Sequence, residues 1–134
     1  MKDKAKESFV AGGTETILMA DDEEMVLAAG QAILEKLGYT VLTARDGDEA
    51  LQVYRDHQDE IALVVTDTVM PKMGGGKLYA MLAGINPSVK VLLMSGYDLR
   101  EKEADLLAGN VRGLLEKPLG FHTLGHAVRQ ALDE

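Results

Sequence analysis

The chain has 134 residues, no cysteine and a formal net charge of −8. That length makes one domain with a real core and no need of staples, while the missing cysteines exclude disulfides and thiolate metal sites and suit a reducing cytoplasm, the expected location. The acidic balance, unrelieved by any basic stripe, argues against nucleic acid as a direct partner; with no apolar run near the roughly 18 residues of a span and no signal-peptide core, no direct membrane contact is expected.

Residues 1–15 are charged and rich in small residues, with Gly12-Gly13 near their end, and read as a flexible leader or linker; the folded domain is expected over 16–134. Thr16-Ile-Leu-Met-Ala20 is the first buried strand and runs straight into Asp21-Asp22-Glu23-Glu24. That acidic cluster opens a helix with Val26, Ala29, Ile33 and Leu37 at helical spacing, ended by Gly38 as a C′ glycine. Tyr39–Thr43 is the second strand, and Asp46 starts a helix carrying Ala50, Val53, Tyr54 and His57 on one face.

Ile61-Ala-Leu-Val-Val-Thr-Asp67 is nearly all apolar and β-branched, the pattern of a strand buried on both faces of a parallel sheet. Pro71 then disfavours the α conformation at Met70, so the backbone leaves the sheet at Asp67. A Gly74-Gly75-Gly76 turn and a short helix over about 77–83 follow. Val89–Met94 is the fourth strand, ending at Ser95-Gly96, and a helix is expected over about 99–108. The short strand Gly113–Glu116 ends at Lys117-Pro118, and the last helix, about 122–132, presents Leu124, Val128, Ala131 and Leu132. Five strands alternating with five helices predict an α/β fold, a doubly wound parallel sheet covered on both faces.

The strand ends carry the chemistry. The first delivers Asp21-Asp22, the third Asp67, the fourth Ser95 and the fifth Lys117, while the second delivers only Ala44-Arg45. In the flavodoxin-like order 2-1-3-4-5 the four polar deliveries share one edge and adjoin, and the second strand sits at the far side. Three carboxylates crowded together need a cation. With oxygen ligands only, Mg²⁺ fits best, Mn²⁺ being the alternative. Lys117 adds a fixed positive charge and Ser95 a hydroxyl, so the set suits a phosphoryl group shared among metal, ammonium and hydroxyl. A carboxylate in its midst can be the acceptor itself, as an aspartyl phosphate.

Ile17-Leu-Met-Ala-Asp-Asp-Glu-Glu, Val64-Val-Thr-Asp-Thr-Val-Met-Pro, Val91-Leu-Leu-Met-Ser-Gly-Tyr and Leu115-Glu-Lys-Pro resemble the landmarks of two-component response-regulator receiver domains, in family order and spacing over about residues 16–132. The wording is most like the C-terminal receiver of a hybrid sensor histidine kinase, whose parent chain would be a kinase although the domain alone only accepts phosphate and dephosphorylates itself. The resemblance implies Asp67 as phosphoacceptor, supplied by a histidine kinase or a histidine phosphotransfer protein. It implies Mg²⁺ on Asp21, Asp22, Asp67 and the Val69 carbonyl, Ser95 as switch hydroxyl, and Lys117 as the lysine that pairs with phosphate rather than with the core. Its removal is accordingly expected to leave folding intact. Pro118 is expected to follow a cis peptide, and Tyr97 with the loop after Ser95 and the helix over 99–108 to relay the change to an output partner.

Three positions depart from the family pattern, one being Gly74, where Asp or Ser is frequent. The switch aromatic, three residues before the lysine, is Leu114 here, and Lys-Pro-Phe has become Lys117-Pro118-Leu119. Rival readings fare worse. Gly74-Gly-Gly-Lys77 is no P-loop, since Pro71 holds the earlier glycine position and Leu78 replaces Ser or Thr. His122 and His126 lack the Glu and third ligand of a zinc pair and read as a wet helix face. An aspartate-nucleophile phosphohydrolase carries a second acid two residues on, where Val69 stands, and a partner-binding pseudo-receiver would have lost Asp67 or Lys117.

Overall fold

The computed structural model describes residues 10–70, 73–96 and 111–134. Five parallel strands, β1 (Thr16–Ala20), β2 (Thr40–Ala44), β3 (Ile61–Asp67), β4 (Val91–Ser95) and β5 (Val111–Glu116), form one sheet in the order β2-β1-β3-β4-β5. Among the described residues the helices are α1 (Glu24–Lys36), α2 (Gly47–Asp56), α3 (Gly75–Ile85) and α4 (Phe121–Asp133). The helix expected over 99–108 lies outside the described residues.

Because successive strand residues point to opposite faces, β1 feeds two cores. Ile17 and Met19 join Leu63, Val65, Leu92 and Met94 under α1 and α4. Leu18 and Ala20 join Val64 and Leu93 under α2 and α3, with Tyr54, Leu78 and Leu82 from those helices. Both faces are dry, which is why the strands read as continuous apolar runs rather than alternating ones.

Most differences from the sequence reading are shifts of one or two residues at element ends. Two have a clear cause. On α1 the buried stripe is Leu27, Gly30 and Leu34, and Ala29 is exposed. The helix touches the sheet at Gly30, where a Cβ would stand 2.3 Å from Met19 Cε, so the contact line runs through a residue with no apolar side chain to reveal it. The triglycine is not a free turn: Gly74 is the N-cap and Gly75 already opens α3. A Cβ at Gly75 would meet the Asp67 carbonyl oxygen at 2.5 Å, so α3 starts hard against the end of β3.

Gly38 is the C′ glycine of α1 at φ +102°. Its N–H donates to the Glu35 carbonyl at 3.0 Å and that of Tyr39 to Leu34 at 3.1 Å, the paired bonds of a Schellman cap. Residues 10–15 of the expected leader lie on the domain. The Gly13 N–H donates to the Leu37 carbonyl at 3.1 Å, and the Glu15 carbonyl accepts from the Thr40 N–H at 3.1 Å. Arg129 of α4 donates to the Gly12 carbonyl at 3.2 Å and pairs with Glu15 at 2.8 Å, holding that carboxyl below its ordinary range. No helix among the described residues is long and apolar enough to cross a membrane.

Candidate functional site

The register sets the site. Ala20 lies opposite Thr66 and Asp67 opposite Met94, while Ser95 lies opposite Glu116, so β1, β3, β4 and β5 end nearly level. The next residue of β1 is Asp21 and the next of β5 is Lys117. The ladder runs one step past each strand: the Thr68 N–H donates to the Met94 carbonyl at 2.9 Å and that of Lys117 to the Ser95 carbonyl at 2.8 Å. Backbone bonds therefore fix the Cα positions from which Asp67 and Lys117 project.

Asp21 is fully buried, Asp67 is 5% exposed and Ser95 2%. Asp22, one step further from the sheet, is exposed. One carboxylate oxygen from each of Asp21, Asp22 and Asp67 lies within 4.8 Å of the others. Lys117 Nζ stands 2.8 Å from Asp21 Oδ2 and 3.1 Å from Asp67 Oδ2, its side chain 11% exposed. A cavity of about 180 Å³ opens over this cluster, lined by Asp22, Glu23, Asp67, Val69, Gly96 and Lys117 among others.

Charge follows from packing. Burial pushes the Asp67 carboxyl above its ordinary range, with the Asp21 charge adding to it and Lys117 opposing. Burial would pull the Lys117 ammonium down, but its bonds to Asp21 and Asp67 outweigh that and hold it above its usual range. Lys117 is thus the counter-ion of two buried carboxylates, a duty beyond the phosphate pairing expected of it.

The donor set suits a small hard cation. Asp21 Oδ1 accepts from the Glu23 N–H at 2.8 Å, whereas among the described residues the fully buried Oδ2 has the Lys117 ammonium at 2.8 Å and no further partner. A buried carboxylate oxygen left in this state, beside two further carboxylates, fits an oxygen-liganded ion such as Mg²⁺.

The sequence-predicted residues Asp21, Asp22, Asp67, Ser95 and Lys117 are brought to one edge. Val69 flanks the cavity, 60% exposed, and its N–H donates to Asp67 Oδ1 at 3.4 Å. Lys117-Pro118 is cis. Leu114 is not at the cluster; it is half-buried on β5 opposite Leu93 and lines a separate hollow with Glu116, Pro118 and Thr123. Tyr97 lies outside the described residues. Lys77 is exposed on α3 and carries no phosphate loop. His122 and His126 are exposed with ring centroids 6.4 Å apart, and no third ligand joins them among the described residues.

The sequence reading missed one participant. Glu23 Oε1 accepts from Lys117 Nζ at 3.4 Å, a third carboxylate on that ammonium. A signal was present, since Glu is a poor choice for the N-cap position it holds.

Comparison with known proteins agrees with this geometry. The model of the response regulator receiver domain family matches residues 17–129. The chain is 33% identical over 131 residues to the sensor kinase CckA of Brucella abortus, covering 98% of this chain and 14% of that protein. It spans only that small share of the curated relatives it first matches. A receiver domain structure from Clostridium thermocellum superposes with a TM-score of 0.84 at 28% identity, covering 89% of this chain and 94% of that one. The receiver domain of the hybrid histidine kinase CckA gives 0.74 at 32% identity, covering 87% and 98%.

Proposed function

Since the chain belongs to the response regulator receiver family, we propose that it accepts a phosphoryl group on Asp67 from a phosphohistidine donor and relays the event as a conformational change. The observation that carries this reading is the position of Lys117 Nζ, 2.8 Å from Asp21 and 3.1 Å from Asp67 at the mouth of a small cavity. A buried cation beside a buried carboxylate is placed to take phosphoryl oxygens as they arrive.

In the transfer, an Asp67 oxygen attacks phosphorus in line while the bond from phosphorus to the donor imidazole breaks and the nitrogen keeps the electron pair. The backbone bonds at Thr68 and Lys117 hold nucleophile and ammonium in register, so little ordering is left for the encounter. Asp21, Asp22 and Asp67, with the Val69 carbonyl, would hold Mg²⁺ or Mn²⁺, which supplies the positive charge that offsets the crowded oxygens. Lys117 exchanges part of its contact with Asp67 for the phosphoryl oxygens, and Ser95 offers its hydroxyl from the end of β4. The added charge, nearly −2 at neutral pH, draws both inward.

The response then passes through the loop after Ser95, Tyr97 and residues 99–108, without a rotamer switch at Leu114. The donor is a histidine kinase or a histidine phosphotransfer protein. The likeness to the sensor kinase CckA favours a hybrid kinase as the parent chain, and the domain itself acts as acceptor. The test is incubation with acetyl phosphate and Mg²⁺, scored by intact mass. An acid-stable, base-labile adduct of one phosphoryl group is expected, absent in Asp67→Asn and with excess EDTA; an undiminished adduct in either case overturns the assignment.

A further inference from the structure

The Glu23 side chain does nothing for the helix it begins, although its carbonyl accepts from the Val26 and Leu27 N–H groups. The residue is the N-cap of α1, yet its side chain makes no capping hydrogen bond. Ser, Thr, Asp or Asn at such a position stabilises a helix over a residue that cannot cap. The Glu23 backbone is pinned by its N–H to Asp21 Oδ1 at 2.8 Å. Its side chain turns away from the helix and across the site, where Oε1 accepts from Lys117 Nζ at 3.4 Å. The rest of that side chain is 64% exposed and borders the cavity that contains Asp67. Local helix chemistry is thus given up for a contact at the site, the pattern expected where a residue serves function.

An ammonium has three N–H groups, and three carboxylates face this one. Asp21 and Asp67 are buried and held from the strand ends. Glu23 is the longest contact and the only one of the three that solvent can replace at once. A phosphoryl group arriving on Asp67 needs donors from Lys117, and Glu23 is the partner that yields. Before it yields, its charge stands at the mouth through which the donor enters.

We propose that Glu23 selects among phosphoryl donors by charge: it occupies Lys117 until the phosphoryl group displaces it, disfavours donors that present only negative charge, and favours those whose leaving nitrogen is cationic. The inference rests on the phosphoacceptor reading. Two small donors separate the cases. With acetyl phosphate, a bond from an Asp67 oxygen to phosphorus forms as the phosphorus–oxygen bond breaks, and acetate leaves with the electron pair. With phosphoramidate the phosphorus–nitrogen bond breaks and the already protonated nitrogen leaves as ammonia. Neither transfer takes up a further proton. The first donor is a dianion; the second carries a cationic nitrogen that a carboxylate at the mouth attracts.

The experiment measures the rate of adduct formation with each donor at fixed Mg²⁺, pH 7, in low and high salt, for the unaltered chain, Glu23→Gln and Glu23→Asp. In Glu23→Gln the acetyl phosphate to phosphoramidate rate ratio should rise about 3- to 10-fold, the factor that a unit charge roughly 6 Å from a dianion gives in water with and without screening. High salt should shrink that rise, and Glu23→Asp, which keeps the charge, should return the ratio toward its starting value. Equal changes with both donors, or an unchanged ratio with adduct still forming, overturn the role given to Glu23 and leave the phosphoacceptor reading standing. Failure of the unaltered chain to form adduct with either donor removes that reading and this one with it.

Discussion

Replacing Lys117 by methionine, which keeps most of the length of the side chain and removes its charge, should destabilise the domain as well as disable it. At an effective dielectric of 20, the approaches of 2.8 Å to Asp21 and 3.1 Å to Asp67 are worth about 6 and 5 kcal/mol of attraction. On the same scale the two carboxylates, within 4.8 Å, repel by about 3.5 kcal/mol or more. Those gross figures are reduced because the ammonium no longer has to be desolvated and because water enters, and removing one partner of a buried pair costs about 3–5 kcal/mol net. Urea denaturation at pH 7 in EDTA should therefore show the midpoint falling by about 1–3 M, taking a slope near 2 kcal/mol/M.

Two dependences identify the cause. Asp67 already takes up its proton more readily in the folded chain than in the unfolded one, and loss of Lys117 removes what opposed this. A carboxyl raised in this way favours the fold below its ordinary range and loses that contribution as pH rises through its raised value. The deficit of Lys117→Met should then shrink as pH is lowered toward 4. Millimolar Mg²⁺ should also stabilise the variant more than the unaltered chain, because its carboxylates have lost their own cation. A deficit below about 1 kcal/mol, or one indifferent to both pH and Mg²⁺, would refute the view of Lys117 as a structural counter-ion.

Asp67→Asn removes a carboxylate whose burial and repulsion by Asp21 together outweigh its attraction to Lys117, which keeps Asp21 and Glu23 as partners. Its Tm in metal-free buffer at pH 7 should be higher by about 3–5 °C, the effect of roughly 1 kcal/mol in a domain of this size, with the gain vanishing near pH 4 by scanning calorimetry. Val69→Asn puts a group able to orient water beside the cavity in place of an exposed alkyl side chain. Decay of the isolated adduct should quicken by about 3- to 10-fold, and an unchanged or slower decay tells against the idea. Gly75→Ala drives a Cβ into the Asp67 carbonyl, where 2.5 Å is available. Urea denaturation should show a loss of about 1–3 kcal/mol, and acetyl phosphate labelling should slow along with it.

The strands and their polar ends were legible because each rests on a local signal, and the sheet order followed from the doubly wound pattern and the family resemblance. Apolar runs with a polar residue at the C-terminal end mark buried strands, and Asp21, Asp67, Ser95 and Lys117 each sit at such an end. What escaped depends on reach and on approach. Whether Glu23 folds back to cap its helix or crosses to Lys117 is settled in three dimensions, by the Asp21 side chain that claims the Glu23 N–H. The structural duty of Lys117 depends on how dry its two partners are, and a lone lysine in a sequence says nothing of that. On α1, Val26, Ile33 and Leu37 do pack against the core, and the centre of the contact line escaped because Gly30, set against Met19, has no side chain to count. Gly74 to Gly76 read as a turn because glycine usually signals one, whereas here the close approach of Gly75 to Asp67 demands it.

The seat of residues 10–15 has a consequence for how the domain is carried. Six extended residues would let the domain swing on a radius of about 20 Å if they were loose. They are instead bolted at several points: a Cβ on Gly12 would strike the Leu37 carbonyl at 1.9 Å, one on Gly125 would strike Val10 at 2.4 Å, and Arg129 grips Gly12 and Glu15. These contacts tie residues 10–15 to Leu37 at the end of α1 and to Gly125 and Arg129 along α4. Residues 10–15 therefore move with the two helices they touch, as one piece of the folded domain.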